Sequence, residues 1–176
     1  MQFAIAPGDD STFETAAIVL RTAHDFQEPP DDVWAVLDGD QAWTWLPLCG
    51  VRYDQSPHGP GSTREMGTVR APWRFLWIQR ERFWRFEPGQ RISYAAYSGS
   101  WPLLKAWAED YTLVPLPSGG TRIVWTVAFT PVLLDLLPLR WTKVFLEPIF
   151  TLGFRPGMKA QLRRRGRRSP QRPNKE

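Results

Sequence analysis

Turn residues cut the chain from Leu48 to Thr130 into six segments, and this punctuation limits the fold more than any other feature. The segments are Leu48–Asp54, Arg64–Arg70, Phe75–Phe86, Arg91–Tyr97, Lys105–Val114 and Thr121–Thr130. Between them lie Ser56–Gly61, Ala71-Pro72, Glu87-Pro88-Gly89, Ser98–Pro102 and Pro115–Gly120. Short β-prone runs separated by Gly and Pro clusters predict an antiparallel meander with short connections. Phe13–Phe26 reads as one more strand ahead of it. Pro29-Pro30-Asp31-Asp32 ends that strand and opens a helix, because proline fits a first turn and carboxylates favour the positive helix end. Gly39 stops it. Gln41–Trp45 reads as a second brief helical turn before Pro47. Beyond Pro131, Leu139, Val144, Phe145, Ile149, Phe150 and Leu152 share an apolar stripe, which Pro138, Pro148 and Pro156 are expected to kink or segment.

The order is therefore strand, two short helices, about six strands and a long C-terminal helix, an α+β arrangement. An antiparallel sheet has a face to cover, and the terminal helix is the only large element available for it. At 176 residues the natural expectation is one domain. Pro7-Gly8-Asp9-Asp10-Ser11 makes 1–11 a flexible leader, 12–165 the folded domain, and 166–176 a basic disordered tail.

Composition removes most catalytic chemistries. A lone Cys49 excludes an internal disulfide and Cys-based zinc, and its setting predicts a buried thiol. With only His24 and His58, a multi-His metal centre is not expected, so the expectation is no metal and no cofactor. His58 sits in an evident turn and His24 near a strand end, which assigns neither to chemistry. Residues 155–176 carry nine basic residues against Glu176, or +8, which leaves 13 basic and 17 acidic residues, or −4, for 1–154. An acidic body with a basic appendix disfavours a uniform nucleic-acid-binding surface. The basic tail reads as a solvated helix end, with weak contact to anionic lipid as an alternative. The N-terminus lacks the pattern of a signal peptide, and charges interrupt Val132–Phe154, so a cytoplasmic protein is expected. The oligomeric state stays open.

Several residues in this order resemble the START-like superfamily (SRPBCC, helix-grip), in its polyketide cyclase/dehydrase and lipid-transport-like branch. They are Pro30–Leu37 followed by Trp43, then Gly61 with Arg64, Glu81-Arg82 with Pro88, and Gly119-Gly120-Thr121-Arg122 with Trp125. The resemblance covers roughly residues 13–165. It implies a curved antiparallel sheet of about six to seven strands wrapped around the C-terminal helix, with an elongated apolar cavity between them. A hydrophobic or aromatic small molecule, such as a lipid or polyketide, is the implied ligand. Ten Trp and ten Phe independently fit an aromatic pocket wall.

The candidate residues carry two readings each. Alternation in Phe75–Phe86 puts Trp77, Gln79, Glu81 and Phe83 on one face, and the family's Glu at this point often faces the pocket. Glu81 is then a proton acceptor, or else a carboxylate paired with Arg64 or Arg91 across the sheet. Tyr94, Tyr97 and Tyr111 can donate to a ligand carbonyl, as an enolising cyclisation requires, or can be ordinary half-buried strand residues. Asp110 beside Tyr111 is a second possible acid or base. Trp107, Trp125, Trp141 and Phe145 are expected pocket walls, with Trp125 equally suited to the core. Binding without turnover is the first expectation. A metal-free cyclase or dehydratase using Glu81 or Asp110 with a tyrosine such as Tyr94 is the alternative, and a tail-mediated membrane or nucleic-acid interaction is a third.

Overall fold

A computed structural model describes residues 1–40, 42–44, 46, 48–69, 76–132 and 139–168, without the side chains of 139–147, 149–151 and 168. Two strands and two helices precede the meander: β1 (Phe3–Ala4), α1 (Thr12–Thr15), β2 (Ile18–Phe26) and α2 (Pro30–Leu37). The meander is β3 (Gly50–Tyr53), β4 (Thr63–Gly67), β5 (Ile78–Glu87), β6 (Arg91–Gly99), β7 (Leu104–Pro115) and β8 (Thr121–Pro131). Helix α3 (Leu139–Arg168) closes the chain. All of these strands join one antiparallel sheet of order β2-β8-β7-β6-β5-β4-β3, with β1 paired to β6. The sheet has eight strands, more than expected, because β1 and β2 both enter it. The fold is the α+β helix-grip arrangement.

Sequence and structure part company at both ends. The expected strand Phe13–Phe26 begins as the single turn α1, and only Ile18–Phe26 pairs with β8. Residues 3–6, read as part of a loose leader, are hydrogen-bonded to the sheet through Ile5 N–H to Tyr97 O and Ala6 N–H to Lys105 O, with Ile5 buried. Gly8 permits the close crossing that follows, since a Cβ there would lie 2.7 Å from the Ala95 Cβ. Of the second short helix expected at Gln41–Trp45, residues 41 and 45 lie outside the described residues, and 42–44 form a turn. Helix α2 starts and stops where its prolines, acids and glycine predict.

Helix α3 runs through Pro148 and Pro156 without ending. Each proline removes a helical hydrogen bond, but the second half of α3 is held by packing. Phe154, Met158 and Leu162 are buried in the main core with Trp125, Tyr111, Val33 and Trp43. Leu152, expected on the apolar stripe, is 73% exposed instead. In the described part of α3 the face that meets the sheet is centred on Phe154, Met158 and Leu162. Among the described residues no helix is long and apolar enough to cross a membrane.

Candidate functional site

Alternation along β4 to β8 places one set of side chains on the face beneath α3. Register pairs Arg64 with Glu81, Phe83 with Tyr94, Tyr94 with Glu109, and Tyr111 with Trp125. Apolar side chains surround this set, yet its centre is polar and almost wholly buried.

Two carboxylates organise it. Glu81 accepts from Arg64 Nε at 2.6 Å and from Gln79 Nε2 at 2.5 Å. Arg64 also donates to Tyr53 Oη at 3.1 Å, and its guanidinium lies 4.2 Å from the Tyr94 ring centroid. Burial opposes the Arg64 charge, but the Glu81 carboxylate and the Tyr53 and Tyr94 oxygens more than offset this, so its pKa is raised. Glu109 accepts from Trp107 Nε1 at 2.9 Å, Trp125 Nε1 at 2.9 Å and Tyr111 Oη at 3.0 Å. Burial, reinforced by the Glu81 charge, still raises its carboxyl to about 7. Burial also pushes the Tyr94 and Tyr111 hydroxyls well above their ordinary range, which keeps both as protonated donors at neutral pH.

The polar groups are not all satisfied. Among the described residues, Arg64 Nη2, Gln79 Oε1 and Tyr94 Oη are buried without a hydrogen-bond partner in the protein. The Tyr94 hydroxyl lies near enough to Glu109 to favour its charge without making a hydrogen bond to it. Arg64 and Tyr94 both line an internal space of about 20 Å³, walled by Val36, Leu37, Trp43, Ile92, Phe154 and Met158. That volume holds about one water-sized group. The expected elongated cavity is, over the described side chains, packed with aromatic rings. Trp125 stacks on Tyr111 at 5.4 Å and meets Phe154 at 4.7 Å and Trp43 at 5.8 Å. Trp43 holds a left-handed backbone, φ 65°, a conformation uncommon for a bulky residue.

The structure thus brings together Arg64, Glu81, Tyr94, Trp107, Tyr111 and Trp125 from the sequence candidates. Glu81 is paired with Arg64, the cross-sheet alternative named for it, and so is not a free base. Asp110 points away from this set. Its neighbour Glu109 takes the inner face, and Asp110 on the outer face accepts from Arg91 Nε at 2.8 Å, Ser93 Oγ at 2.6 Å and Thr112 Oγ1 at 3.1 Å. Tyr97 is also outside the set. It is the extra residue at a β6 bulge, and the Arg82 guanidinium lies 5.2 Å from its ring. Trp77 is half-buried at the entry to β5, exchanging backbone hydrogen bonds with Thr68 Oγ1. Trp141 and Phe145 fall in the part of α3 whose side chains lie outside the described residues. Sequence reasoning missed Glu109, Gln79 as a polar contributor, and Tyr53.

The two histidines and the cysteine make no hydrogen bond to the Glu81 and Glu109 cluster, although His24 is buried on the inner face of β2. His58 stacks on Tyr53 at 3.7 Å and meets Asp38 Oδ1 at 2.5 Å. His24 packs against Phe154, and burial lowers its pKa. Cys49, expected to be buried, is only half-buried, and that burial raises its thiol pKa. Among the described residues no group of three His, Cys, Asp or Glu side chains is arranged to hold a metal ion.

Comparison with known proteins adds the following. The model of a family described as polyketide cyclase / dehydrase and lipid transport matches residues 17–167. An uncharacterized protein of Mycobacterium tuberculosis is 32% identical over 121 residues, spanning 65% of this chain and 67% of its own, and one of Mycobacterium bovis matches equally. Among solved structures, the Zhui aromatase/cyclase from Streptomyces sp. R1128 superposes with a TM-score of 0.63 at 16% identity, over 86% of this chain and 96% of its own. A START superfamily protein from Mycobacterium smegmatis gives 0.63 at 10% identity, over 83% and 97%. At these identities the likeness to the solved structures is one of fold.

Proposed function

This chain belongs to the polyketide cyclase/dehydrase and lipid transport family, and on that premise we propose that it binds a hydrophobic or aromatic small molecule between sheet and α3. The ligand is a lipid, a polyketide or a similar metabolite that carries an acceptor oxygen. One observation carries the reading: Arg64 and Tyr94 line the same internal space, and each has a buried donor without a partner in the protein. A ligand carbonyl or carboxylate oxygen suits both donors. Its apolar body requires more room than about 20 Å³, so binding moves wall residues, and Trp43, Phe154 and Met158, with Val36 and Leu37 of α2, lie outside the sheet.

Native mass spectrometry of the full chain purified from its own source tests this, beside the Tyr94→Phe variant. The wild type retains a small molecule, and Tyr94→Phe retains it about tenfold less while its fold stability is unchanged or raised by about 1 kcal/mol. Absence of any retained molecule, with no binding to a panel of fatty acids and aromatic polyketides, refutes it.

A second reading, a cyclase or dehydratase, is favoured by Glu109. A buried carboxyl poised near neutrality beside the Tyr94 and Tyr111 hydroxyls has the properties of a proton-transfer group. In this version Glu109 takes the place first given to Glu81 or Asp110. A retained ligand turned over by the wild type but not by Glu109→Gln separates enzyme from carrier.

A further inference from the structure

The second half of α3 has two faces, and the core uses one of them. Phe154, Met158 and Leu162 enter the core, and Gln161 Nε2 donates to Thr44 Oγ1 at 2.7 Å. On the other side Arg155, Lys159, Arg163 and Arg167 follow one another at four-residue spacing, all exposed. Side chains at that spacing share one face, so the four form a row about 18 Å long. Leu152, 73% exposed, stands one turn ahead of Arg155 in the same row.

Nothing within the fold accounts for this row. The stretch 148–168 holds seven cations and no acid. Among the described residues, Arg165 alone of these has a carboxylate partner, Asp32 at 3.7 Å. Asp25 is the carboxylate whose field reaches Arg155, and Arg122 already holds it at 2.6 and 2.8 Å. Like charges at this spacing disfavour a helix. The macrodipole favours cations only in the last turn, whereas Arg155 and Lys159 lie more than two turns before the end at Arg168.

We propose that this face of α3 docks the protein on an anionic lipid bilayer. A protein partner needs aromatic anchors and pockets, and around the row stand Gly153, Pro156, Gly157, Ala160 and Gly166. A nucleic acid would take phosphate contacts from the row. Reading or stacking its bases needs Asn, Gln or aromatic side chains, and Gln161 and Phe154 are turned into the core. Nor does a duplex offer Leu152 an apolar layer. A bilayer meets the whole row, with anionic headgroups within reach of long Arg and Lys side chains and hydrocarbon beneath for Leu152. Because the other face of α3 is buried in the core, the helix lies against the headgroups instead of sinking among the chains. This docking is independent of what the interior binds.

The test is co-sedimentation of the full chain with vesicles of phosphatidylcholine alone and of phosphatidylcholine with phosphatidylserine at about 7:3. The wild type partitions onto the anionic vesicles at about 0.1 M salt and leaves them at about 0.5 M. Lys159→Gln with Arg163→Gln lowers that partition about 25-fold, at about fivefold per charge, with the circular dichroism spectrum and urea midpoint unchanged. Leu152→Ser lowers it about fivefold. Arg82→Gln with Lys105→Gln, which removes two exposed cations elsewhere on the domain, leaves it within about twofold. The proposal is overturned if the wild type sediments with neither vesicle, if the two double variants lose binding alike, or if Leu152→Ser binds as the wild type does. It is equally overturned if random-sequence duplex DNA strips the wild type from the vesicles, which assigns the row to nucleic acid.

Discussion

Glu109 makes the fold itself sensitive to pH near neutrality. Its carboxyl is raised from an ordinary 4.5 to about 7, chiefly by burial. Below about pH 4.5 it is protonated in both the folded and the unfolded chain, and it takes nothing from stability. Between 4.5 and 7 the unfolded chain releases the proton and the fold keeps it, so stability falls as pH rises, and above 7 the loss is complete. At 1.36 kcal/mol per unit, a displacement of that size amounts to about 3 kcal/mol. Glu109→Gln removes the titration. It also replaces one of two acceptor oxygens, which receive Trp107 on one side and Trp125 with Tyr111 on the other, at about 1 kcal/mol. The variant is thus within about 0.5 kcal/mol of the wild type at pH 5 and more stable by about 2 kcal/mol at pH 8. Urea melts followed by tryptophan fluorescence at pH 5, 6, 7 and 8, with a common m-value, measure both. His24, whose pKa burial lowers, acts in the opposite direction over this window, but it is present in both proteins and cancels from their difference. A wild type and a variant whose stabilities run parallel from pH 5 to 8 would refute the assignment.

Three further substitutions probe the architecture. Glu81→Gln leaves the buried Arg64 charge without its counter-ion and lowers stability by about 3–5 kcal/mol, and adding Arg64→Met recovers most of that loss in denaturant melts. Asp110→Asn weakens an outer-face network to Arg91, Ser93 and Thr112, costs about 1–2 kcal/mol, and leaves ligand retention unaltered in native mass spectrometry. Gly8→Val drives a side chain into Ala95 and Thr12, lowers stability by about 1–3 kcal/mol, and accelerates amide exchange in β1.

The meander was legible because its signals are local. Each β-prone run between Gly or Pro clusters became a strand, with ends displaced by a few residues. The elements set by distant packing were not. Thr12–Thr15 is a single turn with no period to detect, and the leader is held by hydrogen bonds to Tyr97 and Lys105, far along the chain. Pro148 and Pro156 signal interruption locally, yet burial of Phe154, Met158 and Leu162 keeps α3 continuous around them. The site was legible in half. Arg64 and Glu81 were both named on the family resemblance, and pairing of Glu81 with Arg64 or Arg91 was its alternative reading. Glu109 was passed over for Asp110, although alternation through Trp107, Glu109 and Tyr111 puts it with two residues already chosen as wall and donor. Parity along β7 was the signal that would have found it.

The remaining question is why a domain of this size holds such a polar interior. A buried ion pair of the Arg64–Glu81 kind is often no better for stability than apolar side chains of the same volume. Three unpartnered buried atoms, at about 1–3 kcal/mol each, cost about 3–9 kcal/mol together. That is comparable with the whole stability of an ordinary domain, about 5–15 kcal/mol. Phenylalanine at 94 would fill the same space without the Tyr94 share of that cost, so stability alone does not account for the arrangement. A bound group that accepts from Arg64 and Tyr94 recovers part of it, which favours a ligand site over a plain core. The adjoining space admits only one oxygen's worth of that group, so the rest of the molecule must displace a wall. Trp43 is the best placed to move, because it meets Trp125 edge-on from a turn and already holds a left-handed backbone that a bulky side chain disfavours. On the proposed ligand reading, binding is tied to rearrangement of the Trp43 turn against α3, and the unpartnered donors beneath favour it.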